Sequence, residues 1–421
     1  MGAALKPLLK RLAVGSPAAL PTLDLDFLAQ TYRVSDGAGG MSSVAFADLI
    51  TFTRSSAAWR FNASGVLEQV PANQPRFDYD PVTLALRGLL VEEQRTNLLT
   101  YSSDLSNAVW SKSDSTISTD TTVAPDGSLM QKVTQGSAGN GYVARSSNIT
   151  ITAGTYSHSR FLKRGNHDWV VMSVADSISS ANSARAWFNL ATGVIGTIDA
   201  VGSVTSPAAA IEHVGNGIYR CTVSGNIPFA TAMPFVIGVA ANGSTARVAG
   251  GTRYDFGSQL EAGAFPTSYI PTTSSQVTRA ADVASVNTLS PWFNPDEGTF
   301  CVEVTAFATS GFPGLYGTDD LSAYWSRPAA NSQLTGRGST GWLAINVPAS
   351  SILKRADAYN ATSAASSANG SAVIAEARAR IASVSQLRLG VAGSGRLNGH
   401  IRRIRYWPRR LFDNELQRIT A

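Results

Sequence analysis

Gly215-Asn216-Gly217 followed by Ile218-Tyr219-Arg220-Cys221-Thr222-Val223 decides the fold class. Glycine and asparagine tolerate the positive φ of a tight turn, and the run after them is β-branched and aromatic, too short for a helix. The same grammar recurs in both directions. Residues 49–53, 141–144, 169–174 and 299–304 read as further strands. Ala63-Ser64-Gly65, Pro125-Asp126-Gly127, Ala191-Thr192-Gly193 and Asn242-Gly243 read as turns. The pattern predicts an all-β chain of tandem β-sandwich or jelly-roll domains. Helix is expected in three places. These are a short amphipathic N-terminal segment carrying Lys6, Lys10 and Arg11 among alanines and leucines, residues 372–383 behind Ser371, and residues 412–420 with Asp413 as cap.

With 421 residues the chain is long enough for two or three domains. Charged residues are 15% of it, against about 25% in ordinary soluble domains, which favours extensive assembly contacts. The net charge is +5, and residues 396–421 alone hold seven arginines against two acids. The surplus is therefore local, and no nucleic-acid reading motif accompanies it. No apolar run is long enough for a membrane-spanning helix, so no membrane insertion is expected. Cys221 and Cys301 read as two unrelated buried thiols rather than a disulfide scaffold.

Two long phrases bracket the middle of the chain. The first is Phe52-Thr53-Arg54-Ser55, then Arg76-Phe77-Asp78-Tyr79-Asp80-Pro81, running into residues 88–99, GLLVEEQRTNLL. The second is Phe256-Gly257-Ser258-Gln259-Leu260-Glu261, then residues 266–272, PTSYIPT, and Thr278-Arg279-Ala280-Ala281-Asp282. Together they resemble tailed-bacteriophage and prophage virion proteins of the tail-fibre or head-spike type, in which such phrases flank a carbohydrate-binding-module-like jelly roll. The last third resembles a concanavalin or laminin-G-like sandwich, through Gly298-Thr299-Phe300 and through Gly399-His400-Ile401 to Tyr406-Trp407 and the Leu411 to Leu416 segment. No compact acidic and asparagine cluster of the calcium-lectin kind is present.

The division expected is an N-terminal helix and virion-anchoring segment at 1–50 and an irregular connecting segment at 51–97. A jelly roll follows at 98–275, a linker at 276–289 and a laminin-G-like sandwich at 290–421. The resemblance implies a virion location after assembly in the host cytoplasm. It implies a homo-oligomer, a trimer by the family's habit, held to other virion proteins through the N-terminal segment. The function expected is a non-enzymatic structural protein displaying sandwiches for adhesion to bacterial surface glycans, with a purely architectural decoration, spike-base or connector role as the alternative.

Residue chemistry gives its own reading beside this. Arg76, Asp78 and Asp80 share one side of an extended segment, with Phe77 and Tyr79 on the other, and Glu92, Glu93 and Arg95 follow. That composition reads as a clasp of internal ion pairs; a paired-carboxylate hydrolase is the minor alternative. Sugar rings stack on aromatic faces while polar neighbours take the hydroxyls. Trp187 between Arg185 and Asn189, and Tyr324 with Trp325, are the candidate glycan residues, whereas Trp169 reads as core. His158, Arg160, Lys163, Arg164, His167 and Asp168 form a polar band suited to a groove or a solvated loop. Arg402, Arg403, Arg405, Arg409 and Arg410, interleaved with Ile401, Ile404, Tyr406 and Trp407, suit contact with an acidic neighbour subunit. No nucleophile, metal-ligand or cofactor motif stands out, so no catalytic residue, metal or cofactor is expected.

Overall fold

The structure, a computed structural model, describes residues 20–137, 142–145, 149–176, 181–306, 314–317, 322–326, 332–336, 345–347, 352–377, 384–392 and 395–421. Nearly all of their regular secondary structure is β-strand, built into two sandwiches. The expected N-terminal helix with Lys6, Lys10 and Arg11 lies outside the described residues.

The jelly roll packs two antiparallel sheets face to face. One has the order Ser115–Val123, Leu129–Gln135, Thr252–Ala262, Gly154–Arg164, Ile218–Ile227, Thr205–His213. The other runs Trp110–Ser113, Tyr142–Arg145, Thr231–Val239, Trp169–Ala175, Ser183–Asn189, Val194–Val201. Alternation sends Leu162, Cys221, Val223 and Leu260 from the first sheet, and Val170, Met172, Val174 and Phe188 from the second, into one buried core.

The second sandwich draws strands from both ends of the chain. Its larger sheet has the order Met41–Val44, Thr31–Ser35, Leu23–Asp26, Gly399–Trp407, Gly298–Ala306, Leu353–Tyr359, Ser363–Ala368, Ile374–Ala377, with Leu86–Val91 also pairing to Gly399–Trp407 and Arg76–Tyr79 beside it. The facing sheet includes Thr51–Thr53, Val283–Val286 and Leu387–Leu389. For residues 20–97 this corrects the expectation of an anchoring and then merely connecting segment. Leu23 and Leu25 pair opposite Tyr406 and Ile404, and all four side chains are fully buried. A free anchor cannot afford such leucines, because their burial against Phe300 and Val302 contributes about 1.5–3 kcal/mol each.

The jelly roll is therefore inserted into the second sandwich rather than strung before it. Its entry strand Arg95–Asn97 and its exit strand Val277–Arg279 pair antiparallel, Asn97 opposite Val277. The expected linker at 276–289 contains two strands, Val277–Arg279 and Val283–Val286.

Two helix expectations part company. Asp413–Thr420 is helical and buries Leu416 against the outer face of the larger sheet. Its cap is the Phe412 amide donating to the Glu415 carboxylate at 2.9 Å, not Asp413. Residues 374–377, by contrast, form an edge strand on Ser363–Ala368, so pairing overrides the helix preference of Ala and Glu there. Both cysteines are unpaired and buried, one in each sandwich.

Candidate functional site

The two phrases that bracket the jelly roll meet in space and form a clasp. Arg54, Arg76 and Arg279 converge on Asp282 and Glu92, and all five side chains are at most 1% exposed. Arg76 Nη2 reaches Glu92 Oε2 at 2.8 Å and also pairs with Asp282. Arg54 Nη1 donates to Asp282 Oδ1 at 3.1 Å. Ser268 closes the ring, donating to Glu92 from both its amide and its hydroxyl at 2.7 Å. Burial pushes the Glu92 carboxyl up, but Arg279, Arg76 and the Ser268 bonds outweigh it and hold it at about 2. A carboxylate held ionised in this way is a structural anion and a poor general acid at neutral pH.

The charged side of Arg76–Tyr79 is thus the buried side, and the ion-pair clasp expected from sequence is what the segment builds. Asp78 accepts from the Phe61 amide at 2.8 Å and contacts His400 Nε2 at 2.8 Å, tying the clasp to the last strand. Gly88 sits where that strand passes closest. A β-carbon there would lie 2.3 Å from the Ile401 carbonyl oxygen, and φ is +124°. An apolar seam completes the clasp: Phe61 and Leu67 pack on Phe161, Phe256 and Tyr269 from the outer face of the jelly roll.

Beside this seam lies a cavity of about 230 Å³. The clasp contributes Arg60, Phe61, Asp78 and Arg87; the jelly-roll sheet contributes Phe161, Glu212, Arg220 and Thr222; residues 265–269 form the third wall. Pockets of this kind favour junctions between rigid units. Arg220 lies over the Phe161 ring, 5.4 Å from its centroid, and its Nη2 donates to Thr267 O at 2.7 Å and Ser159 Oγ at 3.1 Å. Burial draws the Arg220 guanidinium below its ordinary pKa, with Glu261, Glu212 and Glu92 opposing.

The residues singled out from sequence lie elsewhere. Trp187 is 1% exposed, packed with Val171, Phe235 and Val239, and its Nε1 donates to Ser244 O at 2.8 Å. Trp187 shares its face with Val171 and with the half-buried Trp169, which the sequence placed in the core, and the chain after Val239 roofs that face, so Trp187 is not an open glycan platform. Arg185 is held bidentately by Asp199 at 2.6 and 2.8 Å, and Asn189 Oδ1 accepts from the Ala191 and Thr192 amides in a turn. Tyr324 and Trp325 lie on the strand Ser322–Ser326, and their side chains fall outside the described residues.

The polar band divides as well. His158 and Arg160 are interior: Arg160 pairs with Asp255 at 3.0 Å and lies 5.1 Å from the Trp110 centroid. Lys163 and Arg164 are turned outward.

The terminal arginines find acids within their own chain. Arg403 grips Asp24 at 2.7 Å and Asp26 at 3.3 Å, Arg402 reaches Glu303 at 2.6 Å, and Arg409 and Arg410 pair with Glu415 and Asp413 at 2.9 Å. Arg405 lies over Trp407 and donates to Cys301 Sγ at 3.7 Å. Four of the five arginines thus pair with acids of their own chain: Arg403 with the first strand, Arg402 with Gly298–Ala306, and Arg409 and Arg410 with the terminal helix.

Sequence reasoning missed Arg60, Phe161, Arg220 and Phe265. The available signal was Arg220 alternating with Cys221 on a strand whose other face is core. An arginine there faces whatever covers the sheet.

No protein-family model matches the chain, and no curated protein matches it. Among solved structures it is similar to the CBM40 module of a Ruminococcus gnavus sialidase bound to α2,3-sialyllactose, at 17% identity over 30% of this chain and 84% of that one, TM-score 0.24. It is similar to domain 4 of a Geobacillus stearothermophilus GH43 extracellular arabinanase with arabinotriose, at 11% identity over 38% and 82%, TM-score 0.26. It is also similar to domains LG4-5 of the mouse laminin α1 chain, at 9% identity over 61% and 82%, TM-score 0.20. Scores this low carry no functional inference; the sheet order above is what defines the β-sandwich class.

Proposed function

We propose that the chain is a non-enzymatic structural protein of a bacteriophage virion, a tail fibre or spike, whose sandwiches serve adhesion to bacterial surface glycans. The observation that carries the adhesion part is the cavity beside the clasp. The half-buried Phe265 ring and the guanidiniums of Arg60, Arg87 and Arg220 line it, the composition that sugar rings and their hydroxyls require. The virion part is supported by the phrases at 52–99 and 256–282, which build one buried ion cluster and so behave as a single structural signature. Self-association and attachment to other virion proteins through the N-terminal segment belong to the same proposal.

The test uses purified particles and the intact protein. Mass spectrometry of particles from an induced culture is expected to find the chain, and free protein is expected to block particle adsorption to host cells. A chain present in particles that leaves adsorption untouched and binds another virion protein tightly would favour the architectural role. Its absence from particles would end the virion reading.

A further inference from the structure

We propose that the cavity beside the clasp takes the carboxylate of an acidic sugar, with Arg220 as its donor. The biological ligand rests on the adhesion reading above, but the chemistry is read from the cavity's own unfilled hydrogen bonds. Arg220 lines the cavity and makes both of its hydrogen bonds from Nη2, which leaves Nη1 without an acceptor. Arg60 lines it too, with both of its Nη atoms engaged and its charge adding to the attraction.

The acceptors of the same cavity are occupied. Asp78 takes the Phe61 amide and His400, Glu92 takes Ser268 and Arg76, and Glu212 takes Arg87 at 2.7 Å. A donor without an acceptor, among acceptors already served, calls for an acceptor from outside. A buried donor left unmade costs about 1–3 kcal/mol, more when it carries charge.

Both guanidiniums are preorganised. Arg220 is pinned at Nη2 and laid on Phe161; Arg60 is held by Phe77 O and by Glu68 at 2.8 Å. A planar fork fixed in this way matches a carboxylate better than a point charge does. Three carboxylates also line the cavity, so a monoanion fits where a dianionic phosphate is repelled. Phe265, half-buried on the third wall, offers an apolar face for the ring. At about 230 Å³ the space falls below the roughly 300–1,000 Å³ of drug-sized pockets, so one sugar ring enters rather than a chain.

The experiment is isothermal titration of the intact protein with glucuronate, glucose and glucose 6-phosphate. Saturable binding of glucuronate is expected, about tenfold or more tighter than glucose. Arg220→Gln is expected to lower glucuronate affinity by about tenfold or more while keeping a cooperative thermal transition; Arg220→Lys, which keeps the charge but not the fork, serves the same purpose if Arg220→Gln does not fold. Glucose bound as tightly as glucuronate, tighter binding of the phosphate, or no binding of any of the three would overturn the proposal. Blocked adsorption together with any of those results would leave adhesion standing without the carboxylate. Glucuronate binding with no effect on adsorption would sink adhesion alone.

Discussion

Glu92 and Ser268 are 176 residues apart in sequence, yet the amide and hydroxyl of Ser268 both donate to the Glu92 carboxylate at 2.7 Å. The entry and exit of the jelly roll are joined there, beside three buried arginines. A cluster of this kind is weak as a net source of stability but costly to break, because removing one partner strands the others.

Glu92→Ala is accordingly expected to destabilise the protein by about 3–5 kcal/mol. Urea unfolding followed by tryptophan fluorescence measures the loss. Glu92→Gln keeps the shape and one acceptor, and is expected to lose less. A change within about 0.5 kcal/mol for Glu92→Ala, the range of ordinary surface substitutions, would remove the clasp from the account.

Acid sensitivity follows from Glu92 and from two buried histidines, His167 and His158, the second held well below its ordinary range first by burial and then by Arg160. Glu92 is held at about 2 against an ordinary 4.5, so the unfolded chain binds the proton more readily, and the stability Glu92 contributes is present above 4.5 and lost as pH falls toward 2. The contribution is on the order of 3 kcal/mol. His167, pushed down to about 4 first by burial and then by Arg253, acts earlier: its contribution is present above 6.5 and lost on acidification toward pH 4. Thermal melts from pH 7 to pH 3 are expected to show a falling Tm throughout, with His167→Gln flattening the part above pH 4. A Tm that rises on acidification would contradict both signs.

Trp187→Ala opens a cavity in the layer of Val171, Phe235 and Val239 and strands the Ser244 carbonyl oxygen. A cost of about 3–5 kcal/mol is expected, with ligand affinity per folded molecule unchanged. Loss of affinity at unchanged Tm would return Trp187 to the role first read from its neighbours.

Deleting residues 20–53 removes Leu23, Leu25 and Phe27 from the core of the second sandwich and uncovers the edge of Gly399–Trp407. A chain of residues 290–421 alone is expected to lack a cooperative transition and to aggregate through that edge. A soluble, cooperatively folding fragment would show that the first strands are an accessory.

Much of this architecture is legible in local sequence, because turns and strands are written in neighbouring residues. The Gly215–Gly217 turn, the alternation of Ile404 and Tyr406 against Arg403 and Arg405, the terminal helix and the ionic character of residues 76–95 all follow from it. What local sequence does not carry is pairing at long range. Nothing near Leu23 announces Tyr406 as its partner, so strands at 23–44 read as an anchor. Nothing near Arg403 announces Asp24, so paired arginines read as a docking patch. Trp187 misleads for a related reason: alternation fixes its face, but a distant loop decides whether that face meets solvent. The cavity is less legible still, since its walls come from many stretches far apart in sequence.

The most direct test of the account is a glycan array probed with the intact protein and with Arg220→Gln, matched for folding by their thermal transitions. The account predicts that the native protein retains glycans ending in acidic sugars and that Arg220→Gln loses them. Retention of the same glycans at undiminished strength by Arg220→Gln would place the binding site elsewhere and contradict it.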